Sequence, residues 1–183
     1  MRIAYDYEIF WKQREYGGIS RYFSNLIKYN YKNKSLKLKV FSQLYFNEYL
    51  KTLPKELISG KKINYIPPYS GRLFEFYTKK ISNLKLLNFK PDIIHRTLFS
   101  NNFSTKKNSK VVITIYDLIH EIFSQDKIFR PKQKAINLAD KIICSGPMYM
   151  ELHTKAKFPK RILANGPNLR FEDIHIKKKA MLI

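Results

Sequence analysis

Hydrophobic positions along the chain follow two alternating patterns. Short continuous apolar runs occupy residues 1–5, 92–95, 111–115 and 142–144. Such runs are expected of strands buried on both faces of a parallel sheet. Residues 36–42 make a further, partly alternating strand, and 62–66 a short one stopped by Pro67-Pro68. Between the runs the spacing changes. Ile19, Tyr22, Phe23, Leu26 and Ile27 recur at helical intervals over 19–31, and Leu73, Phe76, Tyr77, Ile81, Leu84 and Leu87 do so over 73–87. Residues 44–57 are read as holding a short helix that ends near Pro54. A further helix starts near Pro131 and ends at Asp140, and Pro147 opens another through Lys155. Residues 100–110 are polar and read as a surface loop. Strand alternating with helix predicts an α/β fold: a doubly wound, mostly parallel sheet with helices on both faces.

In such a sheet, ligands bind outside the carboxyl ends of the strands. That rule selects loops 6–18, 67–71, 95–101 and 116–126. The first holds Gly17-Gly18 directly before a helix. Strand, glycine turn and helix aim backbone N–H groups and a helix N-terminus at an anion, usually phosphate. The missing Cβ atoms let that anion approach. No third glycine follows at the offset of the dinucleotide fingerprint, and the loop before the pair is long. An ordinary strand-to-helix turn has the same pattern. Arg21 can reach a phosphate or pair with a carboxylate such as Asp6.

The loop Tyr116-Asp117-Leu118-Ile119-His120-Glu121 sets two carboxylates and a histidine at the end of a strand. A histidine there can donate to a hydroxyl or take a proton near neutral pH. The alternative is a capping aspartate beside a partly packed histidine. His95 ends its strand before Arg96 and Thr97, so it faces the same edge or serves the core. Tyr69 and Arg72 flank Gly71 and give a weaker signal.

A chain of 183 residues fits one domain with a substantial core, and 44% hydrophobic content excludes a disordered chain. The single cysteine, Cys144, makes no internal disulfide, and its place after Ile142-Ile143 suits a packed thiol. Asp6 and Glu8 break any signal-peptide pattern, and no apolar run is long enough to span a bilayer, so a cytoplasmic location is expected. Lys and Arg number 35 against 14 acidic residues, a net charge of +21. Such a field attracts anionic membranes, nucleic acids or phosphate-bearing ligands. No zinc framework, stacking motif or helix-turn-helix signature accompanies it, so nucleic acid is not an expected partner. Lysines spread over 28–39, 79–90 and 105–110 suit an anionic membrane surface, which rewards each nearby cation by about 1 kcal/mol. Dispersed, merely solvating lysines are the alternative.

Several segments together resemble one family. YDYEIF…YGGISRYFSNL, PDIIH (91–95), KVVITIYDLIHEIF (110–123), KAINLADKIICSG (134–146) and RILANG (161–166) resemble, in the same order, the opening domain of bacterial family-4 glycosyltransferases. These are retaining enzymes of the two-domain GT-B fold. The resemblance implies a Rossmann-like GT-B N-terminal, acceptor-binding domain over 1–166 and a basic tail over 167–183, with the C-terminal donor-binding domain absent. It implies that Gly17, Gly18 and Arg21 contact the donor diphosphate. Asp117 and His120 are then the catalytic pair, His120 nearer to proton handling, and His95, Tyr116 and Glu121 bind the acceptor. The family more often has His directly before the Asp, and Tyr116 stands there instead. Glu48 and Glu56 share the spacing of the family's donor-site glutamates but lie in the wrong domain, with Pro54 between them.

The implied reaction transfers a hexose from a nucleotide-diphosphate-sugar to a growing lipid-linked surface glycan, as in polysaccharide or lipopolysaccharide synthesis. No metal or further cofactor is expected. The implied partners are donor, glycan acceptor, the anionic inner-leaflet surface and a separate polypeptide carrying the donor domain. A non-catalytic truncated remnant or accessory subunit, binding a membrane surface or a donor-domain partner, is the alternative.

Overall fold

The computed structural model describes residues 1–99, 108–116, 129–144 and 162–164. Strand β1 (Arg2–Tyr5) leads through a short helix α1 (Glu8–Lys12) into α2 (Gly18–Tyr31) and β2 (Lys37–Val40). Then come β3 (Leu44–Tyr45), α3 (Glu48–Lys51), a 3₁₀ turn (Lys55–Leu57), β4 (Lys61–Lys62) and the long helix α4 (Gly71–Phe89). Strands β5 (Ile93–Arg96) and β6 (Lys110–Ile115), helix α5 (Phe129–Leu138), β7 (Lys141–Cys144) and β8 (Ile162–Ala164) complete the described elements. Six strands form the main sheet in the order β2-β1-β5-β6-β7-β8, and every neighbouring pair is parallel.

Register decides what each face carries. Tyr5 lies opposite His95 and His95 opposite Val112, while Ala4 lies opposite Ile94 and Ile94 opposite Val111. Side chains alternate across a strand, so these two rows point to opposite faces. Ile3 and Tyr5 pack with Phe23, Leu26 and Ile27 of α2. Ala4 and Ile94 pack with Leu86 and Phe89 of α4, and Val111, Ile113 and Ile115 with Ile136 of α5. Helices therefore cover both faces, as the alternation of patterns predicts. Cys144 ends β7 as a buried free thiol, pushed up to about 11 by burial.

Two aspartates close the amino edge of the sheet. Asp92, just before β5, accepts from the Arg2 N–H of β1 at 2.7 Å, and Asp140, just before β7, accepts from the Val111 N–H of β6 at 2.9 Å. Each satisfies an N–H at the start of the neighbouring strand, which has no ladder partner there. The aspartates of the PDIIH and ADKIIC segments thus have a structural duty.

The short helix read within 44–57 is the four-residue α3: Asn47 Oδ1 starts it by accepting from the Leu50 N–H at 3.2 Å, and it stops ahead of Pro54, which leads into the 3₁₀ turn. Two expectations are corrected. The strand expected at 62–66 is a two-residue strand outside the main sheet, paired in parallel with β3. It can pass so close because residue 60 is glycine: a Cβ there would lie 1.7 Å from the Ser42 carbonyl oxygen. Loop 67–71 therefore follows no strand of the main sheet. Strand β8 was not foreseen, since three apolar residues at 162–164 do not stand out from a loop. The helix expected at 147–155, most of the polar loop and the basic tail lie outside the described residues. Among the described residues no helix is long and apolar enough to cross a membrane.

Candidate functional site

The sheet reverses its order between β1 and β5: β2 lies to one side of β1, while β5 to β8 run off to the other. At such a switch point the carboxyl ends of the strands leave a crevice in which α/β folds bind ligands. Here its floor is a clasp between the first residues after β1 and β5. Asp6 is buried, and its Oδ1 accepts from the Thr97 N–H at 3.1 Å, from the Thr97 hydroxyl, and from the Glu8 N–H at 3.4 Å. Thr97 Oγ1 in turn accepts from the Ile9 N–H at 3.1 Å. Burial lifts the Asp6 carboxyl to about 6, against the opposing pull of the Thr97 bonds and the nearby Arg96 guanidinium.

Above this floor the loop to the glycine pair is firmly held. The Asn47 amide donates to the Gln13 carbonyl at 2.8 Å and the Glu48 N–H to the Glu15 carbonyl at 2.9 Å. Trp11 packs on Phe46 and Tyr16 on Tyr49, and the Arg14 guanidinium lies over the Phe46 ring at 5.3 Å. Gly17 is the N-cap of α2 in ordinary extended backbone, and its carbonyl accepts from the Ser20 hydroxyl and the Arg21 N–H. The Ser20 N–H is taken by Gln13 Oε1 at 3.0 Å. Among the described residues no acceptor faces the N–H groups of Gly18 and Ile19, and a Cβ on Gly18 would meet nothing within 4 Å. The start of α2 thus presents two backbone donors, an open approach and the positive end of a helix dipole. Arg21 is exposed in the first turn of α2, and the cation that acts on Asp6 is Arg96 instead.

One turn further along α2 lies a polar hub inside an aromatic cluster. His95 Nε2 is 2.9 Å from Thr114 Oγ1, and the Tyr22 hydroxyl bonds the same threonine. The imidazole, 5% exposed, stacks against Tyr5 and meets Phe23 edge-on, while Tyr116 meets both Tyr22 and Phe23 edge-on. Burial alone drives His95 down to about 3 and, as the main cause, raises the Tyr22 and Tyr116 hydroxyls above the usual phenol range. His95 is therefore a neutral core group with its ring closed off from the crevice, the second of its two expected duties. Tyr116 is half-buried and braces α2, its hydroxyl interred. Asp117, His120 and Glu121 lie outside the described residues, on the segment that leaves β6 just beyond Tyr116.

Sequence reasoning missed four contributors. Gln13 caps α2 from seven residues upstream, outside any capping-box spacing. Thr97 and Thr114 carry no motif of their own. Lys132 of α5 is buried, with Nζ 5.2 Å from the Phe99 ring centre and its charge acting on the Cys144 thiol. In a chain with 35 basic residues nothing singled it out. Among the described residues no cluster of His, Cys, Asp and Glu could hold a metal ion. No protein-family model matches the chain, and no curated protein matches it.

Proposed function

We propose that this chain is the acceptor-side domain of a retaining sugar transferase of the two-domain GT-B type, transferring a hexose from a nucleotide-diphosphate-sugar to a lipid-linked glycan. The observation that carries the reading is the start of α2 beside the switch point, where the Gly18 and Ile19 N–H groups have no acceptor among the described residues and a Cβ on Gly18 would meet nothing within 4 Å. In this reading the diphosphate meets the Gly18 and Ile19 N–H groups, and Arg21 in the same turn supplies a positive charge. Gly18 is glycine because a ligand, not the fold, needs the space: a side chain there meets nothing of the protein itself.

Asp117, His120 and Glu121 follow β6 and hold the acceptor's hydroxyls, His120 taking the proton released as the acceptor oxygen attacks. Tyr116 directly precedes them in the chain, and His95 is buried against Tyr5 and Phe23. The imidazole acts through Thr114 and Tyr22 to position the first turns of α2, so it is a positioning residue. The nucleotide's remaining contacts come from a donor-binding domain.

The test is transfer of labelled hexose from a set of nucleotide-diphosphate-sugars to a lipid-linked acceptor, with the chain joined to a compatible donor domain. Gly18→Val should lower transfer by about a hundredfold, the scale of losing aligned donors at a developing charge, with the melting temperature unchanged. Equal transfer by wild type and Gly18→Val would refute the phosphate role of the glycine pair.

A further inference from the structure

The clasp at the switch point joins residues 91 apart in sequence, and its hydrogen bonds gather on a single oxygen. Asp6 Oδ1 accepts from the Thr97 N–H, the Thr97 hydroxyl and the Glu8 N–H, while among the described residues Oδ2 accepts from none. A carboxyl group bonded this way can carry a proton on Oδ2 and keep every bond it makes. Ionisation adds a buried charge and no new bond, which burial disfavours. The groups facing that charge come from β5, β6, α1 and α4. The Arg96 guanidinium at the end of β5 draws it, and the Tyr116 hydroxyl after β6 feels it. Asp6, Glu8 and, from α4, Glu75 all act on the Tyr7 hydroxyl. One guanidinium thus stands against three carboxyl groups, of which Asp6 and Glu8 are buried.

A short path of hydrogen bonds runs from the clasp to the start of α2. Thr97 Oγ1 accepts from the Ile9 N–H at 3.1 Å, and the Ile9 carbonyl accepts from the Gln13 N–H at 2.9 Å. Gln13 then places Oε1 on the Ser20 N–H at 3.0 Å, beside Gly17. Helix α1 between these points has five residues and no side-chain cap at Tyr7, so on its own it is too short to persist. Ile9 and Phe10 seat it in the core, and the clasp holds its amino end. Loss of the clasp therefore reaches Gln13 through one turn of helix, while the sheet and the body of α2 keep their packing.

We propose that the clasp of Asp6 with Thr97 is a pH-sensitive latch: the neutral acid holds it closed, and ionisation of Asp6 loosens α1 and, through Gln13, the capped end of α2. This is independent of the transferase reading. The experiment is amide hydrogen exchange of the full chain across about pH 4 to 7, corrected for each amide's intrinsic rate. Burial moves the Asp6 carboxyl from its ordinary 3.8 to about 6. The opening constants at Ile9, Gln13, Ser20 and Thr97 should therefore rise with pH by up to about a hundredfold, at tenfold per unit. These openings should depend little on added urea, whereas the Ile113 amide of central β6 should exchange with the full urea dependence of global unfolding. Asp6→Asn retains Oδ1 and should flatten the rise at all four amides. In the unsubstituted chain, the carboxyl carbon resonance of Asp6 should titrate with a midpoint of about 6. A midpoint near 3.8 overturns the proposal, as does a rise that persists in Asp6→Asn. So does exchange of the four amides at the global rate of Ile113, or a rise at Thr97 that Ser20 does not share.

Discussion

The side chain of Gln13 closes over the start of α2: its Oε1 accepts from the Ser20 N–H at 3.0 Å, and a Cβ on Gly17 would lie 2.1 Å from that oxygen. The two adjacent glycines therefore differ in duty. Gly17 leaves room for an internal cap, whereas a Cβ on Gly18 would meet nothing of the protein within 4 Å.

The first prediction separates them by stability. Gln13→Ala removes the cap and should cost about 1 kcal/mol. Gly17→Ala should cost a similar amount, because the displaced carboxamide loses the Ser20 N–H. Gly18→Ala should cost nothing, and stabilise by up to about 1 kcal/mol, since alanine is the better helix former and its methyl meets open space. Urea unfolding of the three variants checks this. A destabilised Gly18→Ala would mean that the fold itself requires that glycine.

The second concerns Asp6. Its folded carboxyl is raised to about 6, mainly by burial, so in the folded state it holds its proton longer than in the unfolded chain. Stability from this group is fully present below the unfolded value near pH 4, falls as pH rises, and is gone above about pH 6. The loss amounts to about 3 kcal/mol in all. All three hydrogen bonds reach Oδ1, which asparagine retains. Asp6→Asn should therefore fold, lose this downward slope, and exceed wild type in stability at neutral pH. Unfolding free energies of both proteins across that pH range test it; parallel curves would refute the assignment.

Much of the fold was legible because the main strands are continuous apolar runs and α2 and α4 keep helical spacing. Fully buried parallel strands such as 111–115 admit little else. Beyond its short helix the 44–62 region was not legible, because its path depends on Gly60 passing the Ser42 carbonyl, a contact between backbones that no side-chain pattern encodes. At the site, the glycine pair marked the start of α2, but His95 could not be assigned from its position alone. Its burial is made by Tyr5, Phe23 and Thr114, which come from three separate elements and meet only in the folded sheet. The clasp of Asp6 with Thr97 spans 91 residues and was invisible for the same reason.

The third prediction follows from that burial. With its folded value held down to about 3, His95 stays neutral while the unfolded chain takes up a proton near pH 6.5. Its contribution is therefore complete above about pH 6.5 and lost as pH falls toward 3, with a slope of up to about 1.4 kcal/mol per pH unit. This slope opposes that of Asp6 where the two windows overlap. Asp6→Asn should consequently lose stability on acidification more steeply than wild type. Directly, the imidazole proton resonances of His95 should not titrate between about pH 7 and pH 5; a midpoint near the free-histidine value would show an exposed ring.

The fourth isolates the hub on which α2 rests. Thr114 Oγ1 serves both His95 Nε2 and the Tyr22 hydroxyl in a buried setting. Thr114→Val keeps the shape and removes the oxygen, leaving two buried polar groups without it, at about 1–3 kcal/mol each. Thr114→Ser keeps the oxygen and removes one methyl, a cost of about 1 kcal/mol. The valine variant should thus be the less stable of the two by about 1 kcal/mol or more in urea unfolding, although valine is the larger and more apolar residue. Tyr22 lies four residues after Gly18 on the same helix. Loss of the hub should therefore also loosen the first turn of α2, read as faster amide hydrogen exchange at Ser20 and Arg21 in Thr114→Val than in Thr114→Ser. Unchanged exchange would place His95 and Thr114 among ordinary core contacts, with no hold on the glycine-led end of the helix.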